Sequence, residues 1–458
     1  MTSHAPRGQV GDRVCVIGAG ALGLVAIKNL REQGLKVTAF ERNEYFGGLW
    51  HVSQDPRQVS ALVETVMNTS KETTSFTDFP MPDEYPTHPT ASQLQSYLEG
   101  YVEHFDLLRH IELCTVVSCV RRDDTDNTWL VHLKSTRSGK DDIRQFDRIV
   151  VATGMLSSRN QPTVKGIDKF SGEIVHSREL KNPGRFTGNN VLVVGIGSTG
   201  ADAVCALKRA GVQKLHLSHR SQYCVLPRMF RGRAFDHRLT RRSSTILRSA
   251  AALSPRIVSS LMGKIMRLVQ NMAFPWLKSH ESFLSPRVAD GLFHRQPIFS
   301  DDLPTCLKGE GVEIFHGIKE VTDARSVTFT DGAEMTNLDA IIFCSGYHYD
   351  LSIIQGPGYP ADPAYAPDRY ERLNSALFYN PQDPFPRLYQ GILSERYPES
   401  LAVLGHLFAM KPILAFNDLA TMALASVWSG NYLLPCAGEM KADIDAHYNF
   451  VGLHREGE

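Results

Sequence analysis

The amino-acid sequence predicts an α/β chain with two Rossmann-like dinucleotide-binding domains, the second inserted in the first and carrying a helical insert. Two observations carry this. A unit of strand, glycine-rich turn, helix and second strand occurs near the start and recurs once, with Gly18 and Gly195 177 positions apart. Two further apolar runs, VVATG at 150–154 and AIIFCSG at 340–346, end in glycine like buried parallel strands. A single recurrence is too few for a repeat array.

The first unit opens at 14–23 with VCVIGAGALG, strand formers running straight into glycines. Helical spacing follows over 24–33, Gly34 stops it, and 36–40 is a second strand. Gly18 permits the tight turn, Gly20 lets a pyrophosphate approach the backbone, and Gly23 lets helix and strand pack. The helix N-terminus adds free N–H groups and the positive end of a dipole. Glu41 ends the second strand, where a carboxylate accepts hydrogen bonds from ribose hydroxyls. A lone GxGxxG is a weak signal; strand, glycines, helix, strand and acid in this order are a strong one. Gly47, Gly48, Leu49 and Trp50 follow. The glycine pair admits close backbone approach and Trp50 offers an apolar plane, unless it is plain core. Together these features read as an FAD site.

Between the units lie a helical stretch at 91–105 and the VVATG strand. The second unit reads NVLVVGIGSTG at 190–200, with Gly195, Gly197 and Gly200 in the same spacing. A helix follows through Arg209, and Gly211 precedes a strand at 214–217. Aligning KVTAFER (36–42) with KLHLSHR (214–220) puts His219 where Glu41 stood. A carboxylate would repel a 2′-phosphate; Ser218, His219 and Arg220 instead offer a hydroxyl, an imidazole and a guanidinium. This second unit reads as an NADPH site, the alternative being that Arg220 is a solvated charge at a strand end. Residues 231–278 are rich in Arg, Leu, Ile and Met and read as a solvated helical insert, with contact to a membrane surface the lesser alternative. VVATG and AIIFCSG are both expected beside the FAD sheet. The stretch 357–386, rich in Pro, Tyr and Asp, reads as irregular. The expected domains are 1–180 (FAD, first part), 181–315 (NADPH, with the insert at about 231–290) and 316–458 (FAD, second part).

Composition narrows the partners. Of 458 residues, 42% are apolar and 21% charged, with 49 basic against 49 acidic side chains. That balance gives no support to a nucleic-acid partner. Residues 1–13 are polar and lack the apolar stretch of a signal peptide, and no apolar run of about 18 residues occurs, so no spanning helix is expected. Cys15, Cys114, Cys119, Cys205, Cys224, Cys306, Cys344 and Cys436 are scattered without a CxxC pair or a metal-ligand cluster. They read as reduced structural thiols of a cytoplasmic protein, and no metal is expected.

Phe170, Gly172 and His176 stand in the spacing FxGxxxH just before the second glycine fingerprint. On that signature the chain resembles the flavin-containing monooxygenases, a branch of the class B flavoprotein monooxygenases. NTSKETTSFTDFP (68–80), SHRS (218–221), VLPR (225–228), SDDLP (300–304) and CSGY (344–347) are similar to further segments of the family, in order. The family's aromatic position after the signature is Leu180 here, and Glu64 and Thr65 replace its usual pair before Asn68. The resemblance implies that NADPH reduces FAD and that O2 then adds to give a C4a-hydroperoxyflavin. An amine nitrogen or a sulfur of a small substrate takes one oxygen atom. It implies a catalytic Asn68 near flavin and nicotinamide, where an amide hydrogen-bonds without charge; the alternative is an Asn that caps the turn at Thr69. His176 is expected to order the hinge between the domains, with a purely structural role or proton transfer as alternatives. Some microbial and fungal members tailor secondary metabolites. The mammalian members carry a C-terminal anchor, which the hydrophilic GLHREGE does not resemble. A homodimer is compatible with all of this.

Three other readings compete. A pyridine-nucleotide disulfide reductase needs a cysteine pair after the first acid, and none lies between Glu41 and Leu113. A Baeyer–Villiger monooxygenase shares the linker signature, usually with Trp at the Leu180 position and an extended N-terminus, so ketone oxygenation ranks second. A non-enzymatic NADPH sensor would need no flavin and would be colourless.

Overall fold

The computed structural model describes residues 11–220, 223–238, 240–279, 283, 297–308, 311–362, 386–406 and 413–453. The chain divides into two compact units. The first comprises 1–52, 71–158 and 347–453; the second comprises 53–70, 159–346 and the terminal 454–458, which lies outside the described residues. The second unit thus begins and ends outside the expected 181–315, because strands Glu173–His176 and Ala340–Phe343 both belong to its sheet. It also takes in 53–70, an excursion that the sequence reading did not foresee.

In the first unit, strand Arg13–Ile17 lies parallel to Lys36–Phe40 on one side and to Arg148–Val151 on the other. Leu401–Val403 continues the sheet beyond Arg148–Val151, and Ile111–Glu112 beyond Lys36–Phe40. Val14, Cys15 and Val16 are fully buried, as expected for a strand covered on both faces. Helix Ala21–Glu32 crosses over and packs against helix Ile413–Trp428. That contact holds a buried polar knot. The Asp418 carboxylate accepts from Asn29 Nδ2 at 2.9 Å and from Thr77 N and Oγ1 at 2.7 Å each. Lys28, also buried, pairs with Asp78 and with Glu32. These bonds fix the turn at 77–78 on the Ala21–Glu32 helix.

In the second unit a five-stranded parallel sheet runs in the order Val312–Phe315, Lys214–Ser218, Asn190–Val194, Ala340–Phe343, Glu173–His176. AIIFCSG therefore lies beside the Asn190–Val194 strand and not in the first sheet, which corrects the expectation. The two sheets place their neighbours alike: Ala340–Phe343 is to Asn190–Val194 what Arg148–Val151 is to Arg13–Ile17. The insert opens as a hairpin (Met229–Phe230 with Arg233–Ala234), and its helices are Arg241–Leu253 and Pro255–Ala273. Gln270, almost fully buried, ties the longer helix to the body by accepting from Val225 N at 2.8 Å. The expected insert residues 280–282 and 284–290 lie outside the described residues. No described helix is long and apolar enough to cross a membrane.

Candidate functional site

The strand order reverses beside Arg13–Ile17 in the first sheet and beside Asn190–Val194 in the second, the position at which open α/β sheets bind ligands in the crevice outside the carboxyl ends of their strands. In the first unit Gly18 adopts φ +99°, and a Cβ on it would stand 2.8 Å from the Ala152 carbonyl oxygen. A Cβ on Gly23 would fall 2.0 Å from Gly18 O. Gly20 is different: a Cβ there would meet only the Gly48 backbone, at 3.6 Å. Gly47 N donates to Ala19 O at 2.9 Å, and Gly48 sits at φ +57°. The Gly47–Gly48 pair thus lies directly on the glycine turn. Leu49 and Trp50 follow in a 3₁₀ turn and are half-buried, so Trp50 is not sealed in the core. Glu41 is buried, and its carboxylate accepts from Ala19 N at 2.9 Å and from Asn43 N and Nδ2 at 3.0 and 2.9 Å. The turn and the strand-end acid are fastened to each other.

The second unit repeats the geometry. Gly195 adopts φ +110°, with a would-be Cβ 2.5 Å from Cys344 O, and a Cβ on Gly200 would fall 2.0 Å from Gly195 O. A Cβ on Gly197 would have nothing within 4 Å, and this glycine lies open before helix Ser198–Arg209. The strand end differs. Ser218 is fully buried, and its hydroxyl donates to His316 O at 2.6 Å, so its proton is already committed inside the protein. His219 is nearly buried, its N–H donating to Phe315 O at 3.1 Å. Arg220 is exposed and crosses Gly317, where a Cβ would come 2.4 Å from Arg220 Cγ. Gly317 was not singled out from sequence, although a glycine just after the neighbouring strand was the available signal. VLPR and SDDLP meet through the parallel pairing of Val225–Leu226 with Ile298–Phe299 and through Arg228 to Asp302 at 3.2 Å. Ser221 lies outside the described residues.

His176 has both ring nitrogens engaged. Nδ1 accepts from Arg178 N at 3.2 Å, and Nε2 lies 3.2 Å from Gly346 O, to which the neutral ring donates. Burial holds its pKa below the ordinary histidine value. The Nε2 contact ties His176 to Gly346, the last residue before the chain leaves the second unit. Leu180 fills the place of the family's aromatic residue as part of the core, almost fully buried among Val191, Val193 and Phe186.

Asn68 is exposed and makes no hydrogen bond among the described residues. The helix that follows begins only at Lys71. Ser70 intervenes, its N–H donating to Asp236 Oδ2 at 2.7 Å and its hydroxyl pairing with His237 Nε2 at 3.0 Å. Asn68 is therefore not a cap.

Asp202, two residues past Gly200, accepts from Thr65 Oγ1 at 2.9 Å. Burial raises its pKa to about 6, against the opposing pull of Thr65 and Arg228. A carboxyl whose folded pKa exceeds its unfolded value favours folding below the unfolded value and loses that contribution as pH rises to the folded one. Stability should fall between about pH 4 and pH 6 from this group, by about 2–3 kcal/mol at most. Asp202→Asn should flatten that part of the pH–stability curve and raise the melting temperature at neutral pH. An unchanged curve in urea melts across this range would contradict the assignment.

The family described as FMO-like, flavin-binding monooxygenase-like, matches residues 11–359. The chain belongs to this family. It is a flavin-dependent monooxygenase, an oxidoreductase that places one atom of O2 in an organic substrate. Monooxygenase aurF of Gibberella zeae is 33% identical to this monooxygenase over 442 residues, 96% of this chain and 81% of that one. Flavin-containing monooxygenase 5 of Rattus norvegicus is 30% identical over 443 residues, covering 94% and 76%. Among solved structures, the S-allyl-L-cysteine S-oxygenase of Allium sativum shares the fold with a TM-score of 0.68 at 20% identity, covering 97% of this chain and 83% of that one.

Proposed function

We propose that this monooxygenase holds FAD in the first crevice and NADPH in the second, and passes one oxygen atom to an amine nitrogen or a sulfur of a small organic substrate. The observation that carries the cofactor assignment is the contrast between the strand ends beside two glycine turns of the same spacing. One ends its second strand in the buried carboxylate of Glu41, which suits ribose hydroxyls. The other ends in an exposed guanidinium, Arg220, which suits a 2′-phosphate. The open space before Gly197, and the backbone-only contact at Gly20, leave room for a pyrophosphate against each helix N-terminus. Flavin, when bound, supplies the electron transfer and the oxygen activation. The protein's part is to bind, orient and exclude water: Gly20 and Gly48 admit the dinucleotide, Glu41 fixes its ribose, and Trp50 gives it an apolar wall. Asn68 offers a neutral amide to the reacting groups, and its exposed side chain, without a hydrogen bond among the described residues, supports this role. A sulfur-oxygenating relative by fold and a fungal monooxygenase by sequence favour a soft nucleophile in a tailoring reaction. NADPH consumption with amines, thioethers and cyclic ketones, each product weighed, tests the substrate class. Lactones from ketones with inert amines and thioethers would overturn it.

Arg220 is the one group of the Ser218–His219–Arg220 set that is exposed, so the phosphate reading rests on it. A charge-assisted hydrogen bond contributes roughly 1.5–3 kcal/mol, or about ten- to a hundredfold in affinity. Arg220→Ala should weaken NADPH by that factor and leave NADH nearly unchanged in binding titrations. Equal losses for both nucleotides would show that Arg220 does not read the phosphate.

A further inference from the structure

The second unit holds a close pair of thiols. Cys205 lies on helix Ser198–Arg209 and Cys306 on helix Asp302–Lys308, and their sulfur atoms stand 3.3 Å apart. A disulfide needs about 2.05 Å, so closure asks for little more than 1 Å of approach. Cys205 is nearly buried and lines a small cavity with Asp202, Arg209, Arg228 and Asp302; Cys306 is half-buried. The two sulfurs share a hydrogen bond. That bond, with Lys208 and Arg209 helping and burial and Asp302 opposing, draws the Cys306 pKa down to about 7. The same bond and burial push the Cys205 thiol up. Cys306 is thus the more readily ionised and more exposed sulfur and Cys205 its buried neighbour, the arrangement of an attacking and a resolving cysteine. The remaining six cysteines are likewise free thiols.

We propose that Cys205 and Cys306 form a peroxide-sensitive dithiol that closes to a disulfide and lowers the affinity of the second crevice for its nucleotide. Hydrogen peroxide is the oxidant. The Cys306 thiolate attacks one peroxide oxygen, the O–O bond breaks, and the departing hydroxide takes a proton to become water. The Cys205 sulfur then displaces hydroxide from the resulting sulfenic acid, and the Cys205 proton leaves with it as a second water. Two thiols and one peroxide give one disulfide and two waters, two electrons passing from sulfur to oxygen. NADPH oxidised without product sends its two electrons to O2 as peroxide, so this enzyme is itself a source of the oxidant. The coupling to nucleotide rests on the reading of the second crevice as the NADPH site. Helix Ser198–Arg209 carries Gly197 at its N-terminus and Cys205 about two turns along. Drawing it toward Asp302–Lys308 strains the same helix that faces the pyrophosphate.

The flavin-loaded full chain is treated with equimolar hydrogen peroxide, its free thiols are blocked, and it is digested without reductant. The expected result is two fewer blocked thiols per chain than in the reduced control, a Cys205–Cys306 linked peptide, and reversal by dithiothreitol. Titrated NADP⁺ should bind the oxidised protein at least about fivefold more weakly, the low end of coupling between packed sites, and recover on reduction. Cys205→Ser should stop at a dimedone-trapped Cys306, and Cys306→Ser should form no link. Absence of the linked peptide, or a Cys205→Ser protein in which dimedone traps no sulfenic acid at Cys306, overturns the dithiol. A link with unchanged NADP⁺ affinity overturns the coupling. A reduced protein that binds no NADP⁺ overturns the nucleotide reading, while the linked peptide still supports the dithiol.

Discussion

Gly20→Val is expected to fold and to purify colourless, while Gly23→Ala is expected not to accumulate as folded protein. The two glycines lie three residues apart, but their surroundings differ. A methyl on Gly23 would stand 2.0 Å from Gly18 O, a backbone atom that cannot move without undoing the turn. Overpacking of this kind costs at least about 1–3 kcal/mol, and more against backbone. A Cβ on Gly20 meets only Gly48 at 3.6 Å, an ordinary contact, and its φ of −71° is open to any residue. The branches of valine then fill the space assigned to the pyrophosphate. A clash of about 3 kcal/mol there lowers FAD affinity by about a hundredfold. The flavin-to-protein absorbance ratio and far-UV circular dichroism separate the two outcomes. Gly197→Val makes the matching control, since nothing stands within 4 Å of its Cβ position. It should stay yellow and lose reduction by NADPH. A Gly20→Val protein with stoichiometric flavin, or a wild type that releases FMN alone, would refute the first crevice as an FAD site.

Both glycine turns, their helices and their second strands were legible because they are local: strand formers, glycines at fixed offsets and a helical period lie within about 30 residues. Sheet membership was not. VVATG and AIIFCSG have the same form, and only parallel pairing over long range decides that the first joins Arg13–Ile17 and the second Asn190–Val194. The orientation of Ser218 was equally hidden. Its strand is buried on both faces over residues 215–218, so no alternation marks which side chains point outward. The Asp418 knot had a signal that went unread: a single acid in the apolar run ILAFNDLATMALASVW requires a buried partner. Cys205 and Cys306 are about a hundred residues apart and carry no spacing motif, so only the packing of two helices reveals them.

Asn68→Ala is expected to leave folding and flavin content intact and to uncouple the enzyme. Because the Asn68 side chain is exposed and makes no hydrogen bond among the described residues, truncation breaks no hydrogen bond there. The stability change should stay within about 0.5 kcal/mol, the range of an ordinary surface substitution. A capping asparagine would instead cost about 1 kcal/mol. The catalytic reading makes the opposite demand on activity. One preorganised neutral donor lost from a dry reacting site costs roughly 3–4 kcal/mol, or two to three orders of magnitude. NADPH binding does not depend on this amide, so oxidation of NADPH should continue while oxygenated product falls by about a hundredfold. The missing product should reappear as hydrogen peroxide, mole for mole with NADPH consumed. Asn68→Asp, of the same size, should fail likewise, since a carboxylate replaces a donor with a charge. Product, peroxide and NADPH measured in one assay, beside a thermal melt, decide the matter. A coupled Asn68→Ala enzyme with a lowered melting temperature would return Asn68 to a structural role.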